Sequence, residues 1–333
     1  MSQSATHGRA LNTLRSECGI VIPVHLPGNT DADLWSSIVT ETVNAFVCQM
    51  ASPESVCIAV DGPGLAADIM QPLARDTGAL CTVTDQNGGK LYALRTGVAA
   101  LAANPAIRYI ATADQDGDHF ANELHNLVRA AEHIAESEGT ERILIIGRRI
   151  SRHRPMGLLR GELEELADRV LLDALAYAAA RDRRPLQLQF ATVLDEFPDF
   201  HSGYKLFSRA TAEGVFCSKP NLCEVSGDCY YRHACEAVLC VEAVAGGAIL
   251  GQVNRSTYDE QPVSAFAQLE RRQLVADKMI WPCRRLAVPA SFVDQWLRNH
   301  IPRLLLTTLV PEGAEELDDI RRRVLQAFGA GTL

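Results

Sequence analysis

The sequence predicts an α/β fold built on a mostly parallel open sheet flanked by helices, with a helical extension at its C-terminal end. Three observations predict it. Between Gly19 and Ile146, short β-rich runs alternate with helical patterns, which is the mark of βαβ units. Each run opens into a polar loop with specific chemistry. The chain has 333 residues, 47% of them hydrophobic and 22% charged, ordinary globular composition with length for one large domain or two small ones.

The expected strands are Ile20 to Val24, Ser55 to Val60, Ala79 to Thr84, Arg108 to Thr112 and Arg142 to Ile146. Between the first two, Trp35, Val39, Val43 and Phe46 recur at helical spacing and give a face to lay on the sheet. Further helices are expected over Leu65 to Asp76, Leu91 to Ala103 and Glu123 to Ser137. The second half is less regular. It shows a charged helix from Leu158 to Arg181, strand-like runs at Gly203 to Phe207 and Ala248 to Val253, and a helical region from Tyr230 to Ala245. Helices over Ala265 to Ile280, Phe292 to His300 and Glu312 to Phe328 close the chain. The expected division is a loose tail at 1–18, two halves of one domain at 19–150 and 151–262, and the extension at 263–333.

Bulk properties exclude several function classes. A net charge of −9 repels phosphate polymers and anionic bilayers, so nucleic acid is not an expected partner. Apolar stretches such as Ala99 to Ala103 and Leu304 to Val310 fall far short of the roughly 18–20 residues that cross a bilayer. Met1 to Arg15 lacks the apolar segment and cleavage pattern of a secretory signal. With no export signal, ten cysteines read as reduced thiols of a cytoplasmic protein. Cys217, Cys223, Cys229 and Cys235 follow at six-residue intervals, with Cys240 beyond, which is not the spacing of zinc pairs; buried thiols are expected there.

Ligands of open α/β sheets sit beyond the carboxyl ends of the strands, so the loops after each strand carry the functional reading. They contain His25 and Pro27-Gly28-Asn29, then Asp61-Gly62-Pro63-Gly64, then Asp85 to Lys90, then Asp114 to His119. Of these, Asp114-Gln115-Asp116-Gly117-Asp118-His119 is the strongest signal. Carboxylates spaced by one residue at a strand end bring hard oxygens to one point, as Mg²⁺ or Mn²⁺ bridging two phosphates requires. His119 would add a nitrogen and favour Mn²⁺. Taken alone, the same residues are equally compatible with a solvated Asp-rich turn, so the neighbouring loops decide.

Those loops carry a family resemblance. Val21-Ile22-Pro23-Val24-His25, Ile58-Ala59-Val60-Asp61-Gly62, Asn87 to Gly97 in the pattern N-x-G-K-x-x-A-L-x-x-G, the metal loop like D-A-D-G-Q-H, Ile146 to Arg149 and Asp199 to Arg209 occur in order over about residues 19–260. Together they resemble the family 2 glycosyltransferases of GT-A fold, and within them the polyprenyl-phosphate sugar synthases of the dolichyl-phosphate mannose synthase type. The resemblance implies inverting, metal-dependent transfer of a sugar from a GDP- or UDP-linked donor to a small phosphorylated, hydroxyl or lipid-linked acceptor. Asp116, Asp114, Asp118 and His119 would then hold the metal. Pro23, His25, Asp61, Asn87, Lys90, Asp114, Gln115, Lys205 and Arg209 would bind the nucleotide sugar, and Arg148, Arg149 and Ser202 the acceptor.

Other roles stay open on the residues. Asp61 can serve a base, a ribose or its own turn. The basic run of Arg148, Arg149, Arg152, His153, Arg154 and Arg160 can fork onto phosphate or remain a solvated loop. Asp199 can act on substrate or hold its loop. No base is identified for a hydroxyl acceptor; besides Asp116 as the catalytic metal carboxylate, Glu224 and Asp228 are the candidates. Two features depart from the family: a single Asp at the second strand, and Asp118 where Gln is usual.

Absence of membrane spans fits a cytoplasmic or peripheral protein, with Trp296, Leu297 and Ile301 to Leu309 open to core packing, a homodimer contact or an interfacial patch. Two other functions are weighed. A sugar-phosphate nucleotidyltransferase would need a Gly-rich, Arg-containing loop after the first strand, which Val24 to Gly28 lacks. A non-catalytic nucleotide-sugar-binding or partner subunit could keep the fold without turnover.

Overall fold

The structure is a computed structural model that describes residues 3–26, 31–192, 197–258 and 270–329, with side chains from residue 8 onward. The Pro27-Gly28-Asn29 turn and the start of the helix expected from Ala265 lie outside the described residues.

The chain opens with α1 (Gln3–Glu17), then β1 (Cys18–Val24), α2 (Ala32–Val47), β2 (Val56–Val60), α3 (Leu65–Thr77), β3 (Leu80–Val83), α4 (Lys90–Ala102), β4 (Tyr109–Thr112), α5 (Leu124–Glu138) and β5 (Ile143–Arg149). The second half adds α6 (His153–Arg181), β6 (Lys205–Ser208), the short α7 (Arg209–Ala212), α8 (Cys235–Ala245) and β7 (Ile249–Arg255). Helices α9 (Arg271–Arg285), α10 (Ala290–His300), α11 (Leu306–Leu309) and α12 (Gly313–Ala327) form the extension.

Seven strands make one sheet in the order β3-β2-β1-β4-β6-β5-β7. All pairs are parallel except those of β6, which runs antiparallel to β4 and β5. Every residue of β1 and β2 is buried, because parallel strands are covered on both faces. Pro23 lies past the Cys18–Val21 stretch that pairs with β4, so its missing N–H breaks no bond to that neighbour.

Alternation along β1 feeds two cores. Val21 packs on the side of α4, α6, α8 and α9, while Ile20 and Ile22 pack on the side of α1, α2, α3 and α5. The caps follow local chemistry. Asp31 accepts the N–H of Leu34 at 3.1 Å to open α2, and Gly78 and Gly139 close α3 and α5 in the left-handed conformation.

The N-terminal residues are not the loose tail expected. α1 lies on α5, with Ala10 and Leu14 buried and the Thr13 hydroxyl donating to Glu132 at 2.6 Å. In the extension α12 packs on α9, and Trp296 and Leu297 are core residues and not an interfacial patch, while Leu305 and Leu309 are exposed. No helix among the described residues is long and apolar enough to cross a membrane.

Candidate active site

The carboxyl ends of β1, β2, β3 and β4 bring the polar loops to one rim, as the sequence implies. Gln115 clamps the end of β1, accepting the His25 N–H at 2.8 Å and donating to the His25 carbonyl at 3.0 Å. The His25 Nδ1 lies 3.2 Å from the Asn87 amide nitrogen, and Arg232 donates to the Asn87 carbonyl and side-chain oxygen at 2.8 and 2.6 Å. Pro23, His25, Asn87, Gln115 and Arg232 thus share one edge of the rim.

Asp61 sits at the same edge but serves its neighbours. Its carboxylate accepts the N–H groups of Gly88 and Gly89 at 2.7–3.0 Å and is buried. It shapes the turn that opens α4 instead of facing a base or ribose. Gly89 has φ of 106° and lies against Arg232 and the Tyr231 backbone, where any side chain would collide.

At the centre of the rim is a chain of ion pairs. The Lys90 ammonium bridges Asp114 Oδ1 at 2.5 Å and Glu236 Oε1 at 2.7 Å, and Glu236 Oε2 accepts from Lys205, which also donates to the Ser202 carbonyl. Burial pushes the Asp114 and Glu236 carboxyls up, but Lys90 and Lys205 outweigh it and hold both below their ordinary values. The two lysines stay charged, their pKa values raised by the same carboxylates against the opposing effect of burial.

Asp116 behaves differently. Its sheltered position, with Asp114 and Asp118 close by, pushes its pKa up to about 7. It lines a cavity of about 720 Å³ between α2 and the loop after β4, together with Ile38, Thr42, Phe120 and Tyr258.

A divalent cation fits part of this donor set. Hard carboxylate oxygens suit Mg²⁺ or Mn²⁺, and the charge concentrated at Asp116, with Asp114 beside it, is what such an ion relieves. Asp118 and His119 do not fit. Asp118 is buried and accepts from Arg255 at 3.2 Å and from the Tyr258 N–H at 2.9 Å. His119 Nδ1 accepts the Asp114 N–H at 2.8 Å, so the neutral ring carries its proton on Nε2 and has no lone pair to offer. Burial, with Arg255 and Lys90 nearby, holds the His119 pKa well below its ordinary value, and the ring stacks on Tyr204 at 4.9 Å.

Several expected site residues are placed elsewhere. Because β6 runs antiparallel, Lys205 opposite Thr112 stands at the rim, whereas Arg209 lies past the far end. There Arg209 donates to the carbonyls of Ala102, Asn104 and Ile107 at the end of α4. Lys205 is fully buried and held by Glu236, so it is not an open phosphate-binding cation.

Arg149 is buried and locked to Asp199 by its backbone N–H, Nε and Nη2, and pairs with Glu164 at 2.8 Å, which rules out gripping an acceptor. Asp199 is therefore a loop holder. Ser202 donates to the Gly147 carbonyl at 2.6 Å and is buried, whereas Arg148 is half-buried at the end of β5. Glu224 and Asp228 are exposed; Glu224 pairs with Arg284, and Asp228 pairs with Arg232.

Three residues escaped sequence reasoning: Arg232, which holds Asn87 at the rim, Glu236 and Arg255. Glu236 is the lone charge in the apolar stretch Ala234 to Val241, a pattern that marks a buried partner. Arg255 ends β7 and donates to the Asp118 carbonyl at 2.8 Å, pinning the Asp114–His119 loop; nothing in its local sequence shows this. Of the cysteine cluster, Cys229, Cys235 and Cys240 are buried as expected, Cys223 is half-buried and Cys217 is exposed.

The architecture is that of the GT-A fold: a mostly parallel seven-stranded α/β sheet flanked by helices. Among solved structures the chain is similar to glucosyl-3-phosphoglycerate synthase from Mycobacterium tuberculosis in complex with phosphoglyceric acid, with a TM-score of 0.50 and 15% identity over 85% of each chain. The structure of that synthase with Mg²⁺ and uridine diphosphate gives a TM-score of 0.49 and 14% identity, covering 85% of this chain and 84% of that one. At 15% identity the likeness to the first of these establishes the fold alone. No protein-family model matches the chain, and no curated protein matches it significantly.

Proposed function

We propose that this chain is a glycosyltransferase that moves a sugar, with inversion, from a UDP- or GDP-linked donor to a phosphate-bearing acceptor, small or lipid-linked. Mg²⁺ or Mn²⁺ would be held by Asp116 and Asp114. The observation that carries this reading is the juxtaposition of the Asp114–Asp116 loop with the Lys90–Glu236–Lys205 ion pairs at the carboxyl rim of a GT-A sheet. The resemblance of the rim loops to family 2 transferases supports it. So does the fold shared with a synthase found with phosphoglyceric acid, which favours a phosphorylated acceptor.

Pro23, His25, Asn87 and Gln115 form the nucleoside edge, with Asp61 fixing its floor. Lys90 is poised at the phosphates: its ammonium now neutralises Asp114 and can turn to donor oxygens when an ion takes over that carboxylate. The bound ion supplies charge neutralisation for the departing nucleoside diphosphate. Glu236 keeps Lys90 and Lys205 charged and positioned. A phosphate acceptor is already ionised and needs no strong base; Arg148, at the end of β5, stands where such an acceptor would approach.

A second reading has one observation in its favour. Lys90 already satisfies Asp114, and Arg255 satisfies Asp118, which would suit a nucleotide-sugar-binding subunit without turnover. Incubation with a panel of nucleotide sugars and Mn²⁺ separates the two. Hydrolysis or transfer abolished by Asp116→Ala supports the transferase; binding without any turnover supports the subunit.

A further inference from the structure

Helix α6 begins immediately beyond the rim end of β5 and is broken at Gly157, where φ is 73° and ψ is 170°. The break turns the first residues of the helix back over its main body. The His153 ring lies on Gly161 so closely that a Cβ there would meet ring Cδ2 at 2.8 Å. Glu162 and Glu165, spaced three apart, project from the same side of the helix. As a result, one ligand atom from each of His153, Glu162 and Glu165 lies within 4.8 Å of the others.

We infer that His153, Glu162 and Glu165 form a binding site for a divalent transition-metal ion, with Zn²⁺ the best match. One imidazole and two carboxylates are a borderline donor set that suits zinc better than Mg²⁺ or Ca²⁺, and the two negative charges balance the ion. Water completes an open fourth position. Tetrahedral coordination at bond lengths near 2.1 Å needs donors about 3.4 Å apart; His153 Nε2 already lies 3.3 Å from Glu162 Oε1, and a pair as far apart as 4.8 Å closes in by up to about 1.4 Å. His153 and Glu165 are only half-buried, while Glu162 is buried and bonded to the Leu305 N–H.

Existing bonds leave capacity for the ion. Glu162 Oε2 accepts the Leu305 N–H at 2.6 Å, while its Oε1 is 3.3 Å from His153 Nε2. Arg169 donates to Oε1 of Glu165 at 2.8 and 3.0 Å, and a carboxylate has a second oxygen to give. The ion would staple the segment leaving β5 to α6 and, through Glu162 and Leu305, to the C-terminal extension. The site shares no residue with the rim carboxylates and does not depend on the transferase reading.

The test uses full-length, chelator-stripped Asp116→Asn protein, which removes the principal carboxylate proposed to hold metal at the rim. Calorimetric titration with ZnCl₂ should show one equivalent bound, and Co²⁺ should give visible absorption from a nitrogen-containing site. His153→Ala in this background removes a half-exposed ring and should weaken Zn²⁺ binding by more than the roughly 100-fold that loss of even an outer-shell partner can cost. Glu165→Gln should do the same. No Zn²⁺ binding by folded Asp116→Asn protein, or less than about tenfold weakening by both His153→Ala and Glu165→Gln, would overturn the inference.

Discussion

Charge is distributed so that single carboxylates have separate tasks. Glu236 is tied to two lysines, and removing its charge leaves both ammonium groups under-compensated in a sheltered site. Glu236→Gln should lower turnover by roughly 10²–10⁴-fold, the usual range for a positioned ionisable group, with a smaller change in KM. Steady-state kinetics on the nucleotide sugar found active in the panel checks this. Asp199 is the counterpart at the end of β5, where it holds Arg149. Burial raises its carboxyl, but Arg149 and Arg152 hold its pKa below the ordinary value.

A folded pKa below the unfolded one near 3.9 contributes stability that is present above that value and lost as pH falls. The unsubstituted protein should therefore lose stability below about pH 4. Asp199→Asn should cost about 3–5 kcal/mol near neutral pH and flatten that acid limb. Urea unfolding across pH 3–7 measures both; an unchanged acid limb would remove Asp199 from the account.

Among the elements, β6 decides what reaches the rim. One antiparallel strand of four residues separates Lys205, beneath the site, from Arg209, at the far end of α4. Read as a linear motif, the two look like neighbours in function; strand direction divides them. Gly203, just before β6, has no room for a Cβ beside the Asp114 carboxylate. Gly203→Ala should displace Asp114 from Lys90 and weaken donor binding at least about tenfold while the chain remains folded. Calorimetric titration with donor, alongside far-UV circular dichroism, tests it.

Strands β1 and β2 were legible because each is an unbroken apolar run, and the rim loops were legible because their polar residues follow directly. α1 was not: only Ala10 and Leu14 of its described face are buried apolar residues, and its polar anchor, Glu132, lies over a hundred residues away. Arg149 and Arg152 read as acceptor-gripping or solvated cations because their partners, Glu164, Asp168 and Asp199, are scattered along the chain and meet only in the fold.

Across the whole molecule the sheet separates two cores, and the thiols report which parts are closed. Burial pushes Cys18, Cys57, Cys240 and Cys283 up to about 12, so they carry almost no thiolate at pH 8. Cys48 and Cys217 are exposed. Limited alkylation followed by peptide mass spectrometry should modify these two first, and early labelling of Cys18 or Cys283 would contradict the packing described.

The central claim is that Asp116, with Asp114, joins a divalent cation to a nucleotide sugar at this rim. Ligands that bind the native state raise its melting temperature by mass action. The direct measurement is a thermal-shift panel of UDP- and GDP-sugars with and without Mn²⁺, on the parent protein and on Asp116→Ala. The account predicts that at least one donor raises Tm only when Mn²⁺ is present, and that Asp116→Ala abolishes the shift. No shift with any donor at saturating Mn²⁺, or an equal shift in Asp116→Ala, would contradict it.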